Sequence, residues 1–166
     1  APFFLKMSTH APHAPCAPPR YYFDKYMAMD IPEPAVAEWA RVFDGPQRGL
    51  SVKSWRTALD PKVMKQYMAG YYGSIEHADH QIGRVLNHVP ANTIIIFTSD
   101  HGEMLGDHQW IRKRSAFEGS ARIPYIFKLP DSMGIDQAKP SDKVVELMDI
   151  MPTVLDAAGV DIPESG

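Results

Sequence analysis

The chain predicts an α/β protein with a mostly parallel sheet flanked by helices, and three observations carry that expectation. The run Thr93-Ile94-Ile95-Ile96-Phe97-Thr98-Ser99 is β-branched and aromatic without polar alternation, as in a strand covered on both faces. Upstream, Val63, Tyr67, Tyr71, Ile75, Ala78, Ile82 and Val85 recur at helical spacing. Directly after the strand come Asp100 and His101, two metal-ligand side chains at the carboxyl end, where open α/β sheets hold their ligands.

In chain order, Pro2-Phe3-Phe4-Leu5-Lys6-Met7 reads as an apolar strand. The next stretch, His10-Ala11-Pro12-His13-Ala14-Pro15-Cys16-Ala17-Pro18-Pro19-Arg20, is too rich in proline for a helix or a central strand. It predicts a rigid loop carrying two histidines. Residues 21–59 mix aromatics with Pro32, Pro34 and Pro46 and read as an irregular insertion with short helices inside the same domain. One long amphipathic helix is expected from Pro61 to about His88, with the proline in its first turn. Gly102-Glu103-Met104-Leu105-Gly106-Asp107-His108 is then a candidate active-site loop. Ile123 to Leu129 predicts a further strand, with Pro124 near its start or on an edge. Val144 to Leu147 suggests a short strand, followed by a helix capped by Asp149, with Pro152 in its first turn and an end at Gly159.

A length of 166 residues suffices for one domain with a core, and 45% hydrophobic with 22% charged residues is ordinary for a globular chain. The net charge of -3 gives no overall attraction to nucleic acid or an anionic membrane, so an anionic substrate needs local cations. No apolar stretch spans a bilayer and no signal peptide is visible. Cys16 is the single cysteine, which excludes an internal disulfide and leaves the compartment open. The start at Ala1 and the featureless end at Glu164-Ser165-Gly166 suggest a piece of something longer.

Thr98-Ser99-Asp100-His101-Gly102-Glu103-Met104-Leu105-Gly106-Asp107-His108, then Lys113, then Phe117-Glu118-Gly119-Ser120-Ala121-Arg122-Ile123-Pro124, resembles the second half of the catalytic domain of a sulfatase, in the alkaline phosphatase superfamily. The early His-x-Pro-His-x-Pro loop, the helix before the metal strand and Asp149-Ile150-Met151-Pro152-Thr153 are similar to that family too. A bare Asp-His-Gly is weaker, since phosphodiesterases and phosphomutases of the superfamily share it. The resemblance implies an alkaline-phosphatase-like fold, present here as the C-terminal portion of the domain over residues 1–166. It implies that Asp100 and His101 ligate a divalent metal, that Lys113 reaches the sulfate oxygens, and that His13 donates a proton or contacts sulfate. His10 matches the family histidine less well, and His108 would line the pocket mouth as a substrate contact. Sulfate ester hydrolysis wants such groups, because a dispersed anionic transition state needs fixed cations and the leaving oxygen needs a proton.

The resemblance suggests calcium, while the imidazole of His101 raises the case for manganese, with magnesium also open. The substrate would be a small-molecule or carbohydrate sulfate ester. No nucleic acid and no membrane insertion are expected, and by family the compartment is periplasmic or extracellular, with the cytoplasm still open. Cys16-Ala17-Pro18-Pro19-Arg20 imitates the Cys-x-Pro-x-Arg segment in which sulfatases form their formylglycine nucleophile. Its place inside the histidine loop, and the Tyr21-Tyr22-Phe23 that follows, read against it. No nucleophile is therefore assigned in this chain; formylglycine and the other metal ligands are expected in an N-terminal half, the chain's main partner, and the fragment alone should be inactive. A phosphonate monoester or phosphodiester hydrolase is the alternative enzyme, and a non-catalytic binding module on the same scaffold the alternative class. His77, His80 and Glu76 lack a third ligand spacing for a metal, Glu118 and Arg122 read as a mutual pair, and Met64, Met68, Met148 and Met151 as core filler.

Overall fold

The structure is a computed structural model describing residues 2–43, 58–135 and 140–164. Its backbone is the helix α2, Pro61–Leu86, whose start is fixed twice: Pro61 occupies the first turn, and the Asp60 carboxylate accepts the Lys62 N–H at 2.9 Å. Helix α1, Arg20–Ala28, begins as Pro18-Pro19 ends and lies along α2. Lys25 donates to Glu76 at 2.7 Å, and the Tyr22 hydroxyl meets His80 Nδ1 at 2.8 Å, so Glu76 and His80 are spent on helix pairing. The excursion over 21–59 thus contains α1 and a 3-10 helix at Glu38–Phe43, while Pro46 lies outside the described residues.

Gly70 lets the proline loop sit directly on α2: a Cβ there would strike the carbonyl oxygen of Cys16 and press on its side chain. The buried face of α2 continues into Met64 and Met68, which pack with Ile111 against Ile31, Leu59, Tyr67, Tyr72 and Leu105. Two members of this cluster, Leu105 and Ile111, come from the loop after Asp100. Met104 and Ile111 are each 1% exposed, so the loop is anchored by its own apolar residues.

Strand β1, Ile95–Thr98, pairs with β2, Tyr125–Lys128, from Ile95↔Lys128 to Thr98↔Tyr125. The pairing is antiparallel, where a parallel neighbour was expected. Parallel strands need a crossover, and between these two the chain makes only the short helix α3, Glu118–Ala121, before returning along the same edge. β1 is also half-buried rather than covered on both faces, with Phe97 44% exposed. Pro2 to Met7 is not a strand, nor is Val144 to Leu147: neither finds a ladder partner among the described residues, and Phe4 and Val144 are left exposed. Met148 and Met151 are exposed rather than core filler. Asp149 does not cap the last helix, α4, Ile150–Ala157, with its side chain. Its Oδ2 accepts the Glu146 N–H at 2.8 Å, in a reciprocal pair around the 3-10 turn Leu147–Asp149. Gly159 follows the end of α4 with φ 68, as a helix terminator should.

Candidate active site

β1 delivers Asp100 and His101 into a loop that folds back on itself. The Met104 N–H donates to the Arg112 carbonyl and the Gly106 N–H to the Trp110 carbonyl, both at 2.8 Å, while the Gly102 N–H ties the loop base to Ser120 O at 2.8 Å. Gly106 takes φ 96 where a side chain would meet Met64 and Pro34. Leu105, His108, Gln109, Arg112 and Arg114 also have positive φ without being glycine, a concentration of left-handed backbone around Lys113. Glu103 helps to hold it: its Oε1 accepts the Arg112 N–H, so both backbone groups of the residue before Lys113 are engaged.

Lys113 reaches from this loop to both histidines. Its Nζ lies 2.7 Å from His13 Nε2 and 2.8 Å from His101 Nε2, and the two rings meet edge-on at 5.7 Å. Each ring turns its other nitrogen to a backbone carbonyl, His13 Nδ1 to Ala14 O and His101 Nδ1 to Gly102 O, both at 2.8 Å. Carbonyls only accept, so each Nδ1 carries the proton and each Nε2 presents a lone pair to the ammonium. His10 meets the His13 ring edge-on, ring centroids 5.0 Å apart. Asp100 Oδ1 is 3.6 Å from His101 Nε2, and its side chain is 85% exposed. Four of the residues singled out in the sequence, His13, Asp100, His101 and Lys113, therefore meet in space across a hundred positions.

His108 does not join them. It contacts Trp39 and Phe117 at ring distances of 5.1 and 5.0 Å, and its Nδ1 accepts the Ala37 N–H at 3.2 Å. Asp107 beside it accepts the Ala35 N–H at 2.8 Å, so the pair straps 35–37 to the loop. Sequence reasoning missed Trp39 and the holding role of Glu103. Trp39 offered no periodic signal, and a carboxylate serving a backbone N–H nine residues away leaves none in spacing.

Cys16 is half-buried, and its thiol donates to Pro12 O at 3.5 Å. Burial, followed by the charge of Glu103, pushes the thiol up to about 11, against a thiolate role. The same two causes push Tyr71 up to about 12 and hold the Tyr67 phenol protonated. Glu118 pairs with Arg122 at 3.3 Å. No group of three or more His, Cys, Asp and Glu able to hold a metal is present among the described residues. No helix among them is long and apolar enough to cross a membrane.

The sulfatase family model matches residues 1–160. The chain belongs to the sulfatase family. It is 46% identical to an arylsulfatase of Clostridium perfringens over 99% of this chain and 35% of that protein. To an N-acetylglucosamine-6-O-sulfatase of Bacteroides thetaiotaomicron it is 35% identical, over 77% of this chain and 22% of that one. The solved phosphonate monoester hydrolase of Agrobacterium radiobacter superposes with a TM-score of 0.73 at 28% identity, over 91% of this chain and 34% of that one. A structure holding D-glucosamine-2-N,6-O-disulfate gives a TM-score of 0.57 at 37% identity, covering 61% and 21%. The chain thus spans between about a fifth and a third of the length of these relatives. The fold is alkaline-phosphatase-like α/β, and the helices and small sheet described above form part of such a domain. Sulfatases as a family use a divalent metal and a formylglycine.

Proposed function

We propose that this chain supplies the anion-binding and leaving-group side of an active site that hydrolyses sulfate monoesters. It would be the C-terminal portion of the catalytic domain, residues 1–166, with 21–59 as an irregular insertion. The observation that carries the reading is the convergence of His13 Nε2 and His101 Nε2 on the Lys113 ammonium. An ammonium has three N–H donors, so beside these two contacts Lys113 can turn one to the oxygens of an anionic ester. As the bond from sulfur to the leaving oxygen breaks under attack by an oxygen nucleophile, that oxygen takes a proton. The Lys113–His13 pair lies in hydrogen-bond contact and holds one to give.

Asp100 and His101 suit two positions of a metal ligand set: an exposed carboxylate, and an imidazole whose Nδ1–H is tied to Gly102 O, so that its Nε2 would exchange the Lys113 ammonium for the metal while Lys113 keeps its contact with His13. A bound divalent cation would draw charge from the sulfuryl oxygens. Oxygen ligands favour calcium or magnesium, and the imidazole admits manganese. The nucleophile and remaining ligands belong to residues beyond those described, since Cys16 is turned into the loop with its proton retained.

A phosphonate monoester hydrolase is the second reading, favoured by the superposition on the Agrobacterium enzyme. The test is turnover of phenyl sulfate and phenyl phosphonate esters by the intact protein, with bound metal measured by elemental analysis in the parent and in Asp100→Ala. Metal-dependent turnover with sulfate preferred, and metal lost in the variant, is the expected result. Preference for phosphonate would move the assignment to the second reading, and metal binding with no turnover of either would leave a binding module.

A further inference from the structure

His13 and Lys113 meet although neither lies in a helix or strand, so each must be held by what its own loop touches. On one side the Cys16 thiol donates to Pro12 O at 3.5 Å, which closes the loop around His13, and the Cys16 carbonyl rests against Gly70 of α2. On the other, Arg112 immediately precedes Lys113, and its backbone N–H donates to Glu103 Oε1.

Tyr67 stands between these two anchors. It precedes Gly70 by one turn of α2 and packs on the cluster of Met64, Met68 and Ile111. Its hydroxyl is buried without an ideally placed partner, yet it lies close to Glu103: burial first, then the charges of Glu103 and Cys16 and a hydrogen bond to Glu103, hold the phenol protonated. A carboxylate only accepts, so the Tyr67 O–H, the Arg112 N–H and, at 3.4 Å, the Leu105 N–H all converge on Glu103. The charge of Glu103 also reaches the Cys16 thiol. The helix, the His13 loop and the Lys113 loop therefore meet around one half-buried carboxylate.

We propose that Tyr67 and Glu103 are positioning residues: through them α2 fixes the distance between His13 and Lys113, and with it the path of the proton to the leaving oxygen. This rests on the hydrolytic reading above. Neither residue touches the ester, so their effect belongs in kcat rather than KM, and it grows with the need of the leaving oxygen for a proton. A departing phenolate needs that proton, whereas the far less basic 4-nitrophenolate leaves with little help.

The test measures kcat and KM of the intact protein, of Tyr67→Phe, of Glu103→Ala and of the double variant on phenyl sulfate and 4-nitrophenyl sulfate. Tyr67→Phe keeps the ring and its packing and removes only the hydroxyl. It should lower kcat about tenfold on phenyl sulfate with KM within about twofold, and leave kcat on 4-nitrophenyl sulfate within about twofold. Glu103→Ala should show the same dependence on the leaving group, and the double variant should be no slower than Glu103→Ala alone, because Tyr67 acts through that carboxylate. Equal losses on the two esters would make the pair a packing contact and overturn the proposal, as would an unchanged Tyr67→Phe or losses that multiply in the double variant. If Glu103→Ala does not fold, the two leaving groups decide the matter on Tyr67→Phe alone. Should the parent act on phosphonates instead, phenyl and 4-nitrophenyl phosphonate monoesters give the same comparison. Failure of the sulfatase reading therefore appears in the parent, and failure of the positioning role only in the variants. A parent without turnover of any ester overturns both.

Discussion

Lys113 sits between Arg112 and Arg114, and composition alone gives no reason to separate the three. Geometry does, because Lys113 meets His13 and His101 while the backbone of Arg112 is held by Glu103 and Met104. Lys113→Ala should lower turnover by on the order of a hundredfold, about 3 kcal/mol of transition-state stabilisation, with circular dichroism unchanged. Arg112→Ala, measured beside it, should lose far less; equal losses would remove support for a pocket role. Cys16 gives a second expectation. Its thiol ionises near 11 rather than near 9, two units that leave about a hundredfold less thiolate at neutral pH. Alkylation at pH 8 should be slower than that of a free thiol by about that factor. The sign for stability follows: the contribution of the protonated buried thiol is complete below about 9 and lost as pH rises toward about 11. The sequence made Asp100, His101 and Lys113 legible as candidates because they share one local motif, and His13 because its proline-rich loop resembles a second one. It set His108 apart as a pocket-mouth residue but did not place it against Trp39, because whether a loop histidine faces a pocket or a tryptophan depends on residues some seventy positions away.

α2 was the most legible element, since twenty-six residues of helical periodicity with a proline start leave little room for another reading. The strands were less so. An apolar run shows that a strand wants cover but not which neighbour supplies it, and direction depends on the connection: the route from β1 to β2 contains no crossover helix. Pro2 to Met7 has strand composition without a strand's partner. Gly70 shows the opposite case, an element whose key residue looks like a defect. Alanine is ordinarily the better helix former by about 1 kcal/mol. Here a methyl group would drive the Cys16 backbone off the helix and move the loop carrying His13. Gly70→Ala is therefore expected to destabilise by about 1–3 kcal/mol and to lower activity, read by thermal denaturation and turnover together. A more stable variant would show that the loop does not rest there.

The molecule as a whole exposes 12393 Å² for 18.6 kDa, against roughly 8,200 Å² for a compact monomer of that mass. Phe4, Ile126, Val144 and Met148 are each more than half exposed. Produced alone, the 166-residue chain should bind an apolar fluorescent dye and self-associate in sedimentation, while the intact protein does neither. A monodisperse, dye-silent chain would count against missing cover. This shortage of burial was not legible in composition, because 45% hydrophobic residues fill a core equally well whether their partners lie within the chain or beyond it. It bears on the loop around Lys113, where five non-glycine residues hold left-handed backbone. Each such residue costs about 1–2 kcal/mol, so together they approach the whole stability of an ordinary domain, about 5–15 kcal/mol. That loop does not choose its shape; the surrounding packing imposes it. Heat or a distant cavity that loosens the packing should let those five residues relax first, so the contacts of Lys113 with His13 and His101 are expected to be lost while the helices are still intact.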